Sequence, residues 1–212
     1  MSLRGAAYGV SAWLRDLRDR ALYPETDDPE RHWQRIALNH AVDERIAALG
    51  PEGLSAAEIS GENHAGRPWR EYASLSYPEF DLCAPLTERR RFDVVICEQV
   101  LEHVPDPWVA AENLRGLSVP GGHVIVSTPF MVKVHELPEY GMADYWRFTP
   151  RGLRLLLERS GLDVEEMGEW GNRQGVVGNI RSWSAFRRWH SLHHEPNIPL
   201  QVWAFARNPE GG

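Results

Sequence analysis

The sequence predicts an α/β fold on an open, doubly wound sheet, and three observations lead there. Asp93-Val-Val-Ile-Cys97 is a short apolar, β-branched run of the kind buried on both faces of a parallel sheet. Asp106 before Pro107 reads as an N-cap followed by proline at the first helical position, and this helix ends before Pro120-Gly121-Gly122. His123-Val-Ile-Val-Ser-Thr128 then supplies a second buried strand. Strand, helix and strand in this order make one βαβ unit. In open α/β sheets ligands sit outside the carboxyl ends of the strands. Those ends are Glu98-Gln-Val-Leu-Glu-His103 and Ser127-Thr-Pro-Phe130, so the chemistry is expected there.

The remaining elements fall on either side of that unit. Val10, Trp13, Leu14, Leu17 and Ala21 recur at helical spacing, which predicts an amphipathic helix ending near Tyr23-Pro24. A second helix is expected over residues 32–49, with Trp33, Ile36, Ala37 and His40 on one face and Gly50-Pro51 closing it. Both helices precede any strand, so residues 1–50 are expected to form a helical cap packed over a core of residues 51–212. Residues 54–59 read as the first strand and residues 71–76 as the second, with residues 81–83 a possible stub of a third. Glu58 and Asp93 stand only 35 positions apart, while one βαβ crossover takes about 30 residues. The first half of the sheet must therefore lack at least one helix. After the central unit come an irregular segment (residues 131–146) and a helix capped by Thr149-Pro150 and closed by Gly161. A strand over residues 162–170, a glycine-bearing loop over residues 171–178, a helix over residues 182–194 and a last strand over residues 199–207 complete the expectation.

Bulk properties narrow the function. A formal net charge of −7 over 212 residues argues against a nucleic-acid-binding surface, which needs clustered positive charge. Cys83 and Cys97 are the two cysteines, and with Cys97 in a buried strand both are expected to be free thiols of a cytoplasmic protein. No apolar run is long enough to span a membrane, and no signal-peptide core is evident at the N-terminus. No P-loop or serine nucleophile elbow is present.

Three segments, taken together, resemble the class I S-adenosylmethionine-dependent methyltransferases, in particular small bacterial members of the type-11-like branch. They are Phe92-Asp-Val-Val-Ile-Cys-Glu-Gln-Val-Leu-Glu-His-Val-Pro-Asp-Pro107, the Pro120-Gly-Gly turn with its following strand, and His135 with Asp144-Tyr-Trp-Arg-Phe-Thr-Pro150. The resemblance covers about residues 54–207. It implies a Rossmann-like sheet, S-adenosyl-L-methionine as cofactor and a small-molecule methyl acceptor of the kind met in polysaccharide or natural-product biosynthesis. Glu58 stands at the family's acidic position closing the first strand. Ser60, Gly61, Glu62, Asn63 and His64 stand where several glycines are expected, so only Gly61 offers the usual backbone freedom. Ser76 and Tyr77 fall where the family's ribose-binding acid would be, Asp81 resembles the residue that meets the adenine amino group, and Glu98, Gln99 and His103 resemble the loop that packs along the cofactor.

An oxygen or protonated-amine nucleophile must lose a proton when it is methylated, so a histidine near the acceptor is the residue to seek. His135 and His103 are the candidates for that base. Asp144, Tyr145, Trp146 and Arg147 combine charge, hydroxyl and aromatic surface and are candidates for substrate binding, Arg147 by a forked hydrogen bond to an anionic group. His190, His193 and His194 have no matching carboxylate or cysteine pattern, and Glu136 and Glu139 near His135 form no recognisable ligand set, so no metal is expected. The altered first motif leaves a second reading open, a non-catalytic binding or scaffold module on the same fold. A nicotinamide-dependent oxidoreductase is disfavoured because no G-x-G-x-x-G follows the first strand.

Overall fold

A computed structural model of the chain describes residues 3–136, 138, 141–180 and 182–210, with side chains described from residue 13 onward. Five α-helices are described: α1 (Leu3–Leu22), α2 (Ile36–Leu49), α3 (Pro107–Leu117), α4 (Pro150–Arg159) and α5 (Arg173–Asn179). The six strands are β1 (Ser55–Ile59), β2 (Glu71–Leu75), β3 (Phe92–Glu98), β4 (Ser118–Pro129), β5 (Asp163–Trp170) and β6 (Gln201–Arg207). They form one sheet in the order β2-β1-β3-β4-β6-β5. The first four are mutually parallel, and β6 runs antiparallel to both of its neighbours. This is the α/β, Rossmann-like sheet expected from the sequence, abbreviated in its first half: residues 60–70 and 76–91 join the strands without a helix.

Both faces of the sheet are covered. α3 and α4 lie on one, where Ala110, Leu114, Leu117, Leu153 and Leu157 pack against Val95, Cys97, Val124 and Val126. The caps foreseen for these helices form: Asp106 Oδ1 accepts from the Trp108 and Val109 amides at 3.1 Å, and Thr149 Oγ1 from the Gly152 amide at 3.1 Å. On the other face, Leu38, Val42 and Ile46 recur every fourth residue of α2 and pack with Trp33 against Val94, Ile96 and Ile125. Full burial of each such side chain stabilises the fold by about 1.5–3 kcal/mol.

Several elements depart from expectation. The face of α2 that is buried carries Leu38, Val42 and Ile46, while His40 is exposed, because the helix begins only at Ile36 after a 3-10 turn rotates its register. The stripe on α1 does not cover the sheet: Trp13, Leu14 and Leu17 are exposed, since Trp33 and α2 already occupy that face. Residues 81–83 form a turn and not a strand stub. Residues 173–179, expected as a loop, are helical because Asn172 Oδ1 caps the Gly175 amide at 2.7 Å. The helix expected over residues 182–194 is instead turns and bridges, with Ser184 pairing with Glu25 and Ala185 with His32, so the N-terminal segment claims its backbone.

Candidate functional site

The chain passes from β1 outward to β2, then back across to β3 on the other side of β1. That reversal opens a crevice at the carboxyl ends of β1 and β3, the place where open α/β sheets bind ligands. Ser60 and Gln99, the residues that follow these two strands, both adopt left-handed backbone, with φ of 55° and 56°. A non-glycine residue there costs about 1–2 kcal/mol. Hydrogen bonds from the Ser60 amide to the Leu75 carbonyl (3.0 Å) and from the Gln99 amide to the Ser127 carbonyl (2.9 Å) hold the two turns in place.

A cavity of about 310 Å³ lies between them, with Ser60, Tyr77, Asp81, Gln99, His103 and Tyr145 on its walls. Leu82 and Val100, both nearly buried, add apolar surface to the same walls. Six sequence candidates thus meet in one place. Ser76 does not line this cavity; its hydroxyl meets Ser74 Oγ at 3.2 Å.

Glu58 is taken up by its own loop. It is 2% exposed and accepts hydrogen bonds from the Asn63 and His64 amides, both at 3.0 Å, and from the Tyr72 hydroxyl at 2.7 Å. Burial and the Glu58 carboxylate together raise the Tyr72 phenol well above its ordinary value. Gly61 is required here, because a Cβ at that position would lie 2.5 Å from the pinned Glu58 Oε1. Where a glycine-rich loop would leave backbone amides open to a ligand, this loop folds two of them onto Glu58.

A second cavity, of about 420 Å³, lies beyond that loop and is bordered by Asn63, His64, Glu98 and Arg35. His64 Nε2 and Glu98 Oε2 pair at 2.7 Å, both side chains being almost fully buried. Glu98 therefore braces the loop against β3. Arg35 was not among the residues the sequence singled out. Its Nε is buried without a hydrogen-bond partner among the described residues, and the residue borders this cavity.

At the other end of the first cavity, His103 Nδ1 lies 2.7 Å from the Ala143 carbonyl. A carbonyl only accepts, so this ring nitrogen donates to it and fixes the orientation of the ring. The His135 ring stands edge-on to His103, with centroids 4.9 Å apart. It does not line the cavity; its Nδ1 sits 3.2 Å from Asp144 Oδ2 and 3.4 Å from the Lys133 carbonyl. Burial lowers the His135 pKa, against the opposing effect of Asp144. Burial would raise the Asp144 carboxyl, but hydrogen bonds from Arg147 and from the His135 amide outweigh it and hold the pKa down. Arg147 grips Asp144 with both terminal nitrogens and also donates to the Trp146 and Lys133 carbonyls. Trp146 donates Nε1–H to the Val104 carbonyl at 2.9 Å and packs edge-on against Trp108. Of the four substrate candidates only Tyr145 reaches the cavity; Asp144, Trp146 and Arg147 form the scaffold behind it.

The histidines near the C-terminal end do not converge. His190 stacks on Trp33 with centroids 4.1 Å apart, and His194 Nε2 lies 3.3 Å from Glu169. Glu139 lies outside the described residues.

A cavity at the switch point of an open α/β sheet, with apolar walls and a few polar groups, marks a ligand-binding α/β protein. A family model described as a methyltransferase domain matches residues 6–167. The chain belongs to that family, the class I S-adenosylmethionine-dependent methyltransferases, whose cofactor is S-adenosylmethionine. A ubiquinone biosynthesis O-methyltransferase of Cereibacter sphaeroides is 36% identical over 159 residues, covering 68% of this chain and 62% of the relative. One of Cupriavidus pinatubonensis is 38% identical over 89 residues, covering 35% of each. The chain thus spans between 35% and 62% of the length of these relatives. Among solved structures, the 4+2 cyclase SpnF superposes with a TM-score of 0.56 at 12% identity, over 89% of this chain and 87% of the other. An S-adenosylmethionine-dependent methyltransferase of Mesorhizobium loti superposes with a TM-score of 0.50 at 16% identity, over 77% of this chain and 96% of the other. Likeness at this identity shows the shared fold. No helix among the described residues is long and apolar enough to cross a membrane.

Proposed function

We propose that this chain transfers a methyl group from S-adenosylmethionine to an oxygen of a small molecule. The observation that supports this most is the 310 Å³ cavity, which has Asp81 among its lining residues and, at its far end, His103, whose ring is fixed by the hydrogen bond from Nδ1 to the Ala143 carbonyl. The adenosine would lie between Leu82 and Val100, with its amino group toward Asp81. The methionine tail would extend past Ser60 toward the second cavity, its carboxylate toward Arg35. The methyl group would then point toward His103, where an acceptor hydroxyl can be activated and aligned. The named O-methyltransferases at 36–38% identity support an oxygen acceptor. Two free cysteines fit a reducing compartment such as the cytoplasm.

The test is calorimetric titration of the full chain with S-adenosylhomocysteine. Saturable binding that weakens in Asp81→Ala is expected. Absence of heat at millimolar ligand would overturn the methyl-transfer reading in favour of a binding or scaffold module whose first loop has closed on Glu58.

A further inference from the structure

We propose that α1 lies along the surface of a bilayer rich in anionic phospholipid, with its apolar stripe turned into the headgroup boundary, and so holds the chain at a membrane without crossing it. The proposal goes beyond the methyl-transfer reading and does not rest on it.

The first observation is how much of α1 stays uncovered. The helix has 20 residues, Leu3–Leu22, and so is about 30 Å long. None of its described side chains belongs to either core cluster. Trp13, Leu14 and Leu17 are 60%, 55% and 45% exposed. Helices in water are stabilised mainly by packing an apolar face, and a contiguous apolar surface left open marks an interaction site.

The second observation is which way the helix is turned. At about 100° per residue, Val10, Trp13, Leu14, Leu17 and Ala21 share one arc of about 100°. Arg20 follows at one edge of that arc and Arg18 at the other, whereas Asp16 and Asp19 fall about 120° and 180° from its centre. The acidic side faces the rest of the molecule: Asp16, Asp19 and Arg20 border a cleft against Val177 and Gly178 of α5, from which Trp13, Leu14 and Leu17 are absent. The stripe therefore points outward. Arg18 and Arg20 pair along the helix with Asp19 and Asp16 at 2.7 and 2.9 Å, yet their side chains remain 62% and 74% exposed. Exposed pairs of this kind are weak and exchange readily for an outside anion.

These features select the occupant. Tryptophan and leucine on one face with arginines beside it make a helix that rests in the plane of a membrane interface, the indole at headgroup level and the guanidinium groups reaching phosphate. The sequence of α1 holds four arginines against two aspartates, a net of +2 in a chain of net −7, so its charge is complementary to anionic lipid. The acidic run of residues 25–30 begins past the end of the helix, where Glu25 pairs with Ser184. A second copy of α1 suits the stripe less well, because both edges carry cations and paired helices need opposite charges on their flanks.

The experiment is co-sedimentation of the full chain with vesicles of phosphatidylcholine alone and of phosphatidylcholine with an equal share of phosphatidylglycerol. Pelleting with the anionic vesicles is expected, with a blue shift of tryptophan emission and weakening as salt rises from 0.1 to 0.5 M. Arg18→Gln with Arg20→Gln should weaken binding by about 30-fold, about 5-fold for each cation near the surface. Leu14→Glu with Leu17→Glu should abolish pelleting. Both double variants should keep the parent's melting temperature and S-adenosylhomocysteine affinity, since the stripe lies outside the core and both cavities. No pelleting with anionic vesicles, or equal pelleting by the parent and the Leu14→Glu/Leu17→Glu variant, overturns the proposal. A parent dimer in light scattering that ignores vesicles and dissociates in that variant overturns it in favour of a second copy. Vesicle binding without S-adenosylhomocysteine binding would leave the membrane face standing and remove the methyl-transfer reading instead.

Discussion

Replacing Glu58 with glutamine separates two roles for the acid that closes β1. In the structure its carboxylate receives three hydrogen bonds, from the Asn63 and His64 amides and the Tyr72 hydroxyl, and it is 2% exposed. Glutamine has the same shape, but its amide nitrogen must face one of these donors. That leaves a buried N–H or O–H unpaired, and replaces bonds to a charged acceptor, each worth about 1.5–3 kcal/mol, with neutral ones. A loss of about 2–4 kcal/mol follows, which for a chain of this size lowers the melting temperature by about 5–15 °C. Thermal unfolding by circular dichroism reads the loss directly. S-adenosylhomocysteine affinity, measured below the transition, should fall as well, because the loop of Asn63 and His64 borders the second cavity. A melting temperature within about 1 °C of the parent, with affinity alone reduced, would refute the bracing role and return Glu58 to direct cofactor contact.

Two further outcomes follow from the geometry. Arg35→Ala should weaken S-adenosylhomocysteine binding by about 10–100-fold in calorimetry, the loss of one charge-assisted contact; an unchanged affinity would remove Arg35 from the proposed carboxylate site. His123, on β4, is held below its usual pKa first by burial and then by Arg45 and Arg207, with Glu165 opposing. Its folded pKa is depressed, so the stability it contributes is present above the unfolded value of about 6.5 and is lost as pH falls toward the folded value. Going from pH 7.5 to 5.5 should therefore lower the melting temperature of the parent more than that of His123→Gln, and parallel curves would contradict this.

Much of this architecture was legible in the sequence. The β-branched runs at Asp93–Cys97 and His123–Thr128 could only be central strands, and the Asp106-Pro107 and Thr149-Pro150 pairs could only open helices, because capping chemistry is local. The short interval between Glu58 and Asp93 required an abbreviated first half for a reason of chain length alone. That the loop of residues 98–103 follows β3 at its carboxyl end is a consequence of topology, and Gln99, Val100 and His103 of that loop line the cavity.

What the sequence left open depended on partners distant in the chain. The segment 182–194 reads as a helix until Glu25 and His32 claim the backbone of Ser184 and Ala185. The place of β6 is likewise a tertiary outcome. Its side chains are buried on both faces, so it must lie inside the sheet, while the acid-rich β5 takes the edge. The fit depends on Gly168, whose missing side chain leaves room for the ring of Trp203 opposite it. In the site, residue type alone could nominate His103 and His135. Only the fold could stand the two rings edge-on beside each other and place Arg35 across from the loop that Glu58 holds shut. Local chemistry determined the elements and the cavity's position; the orientation of each functional side chain was decided by hydrogen bonds between groups that sequence spacing does not bring together.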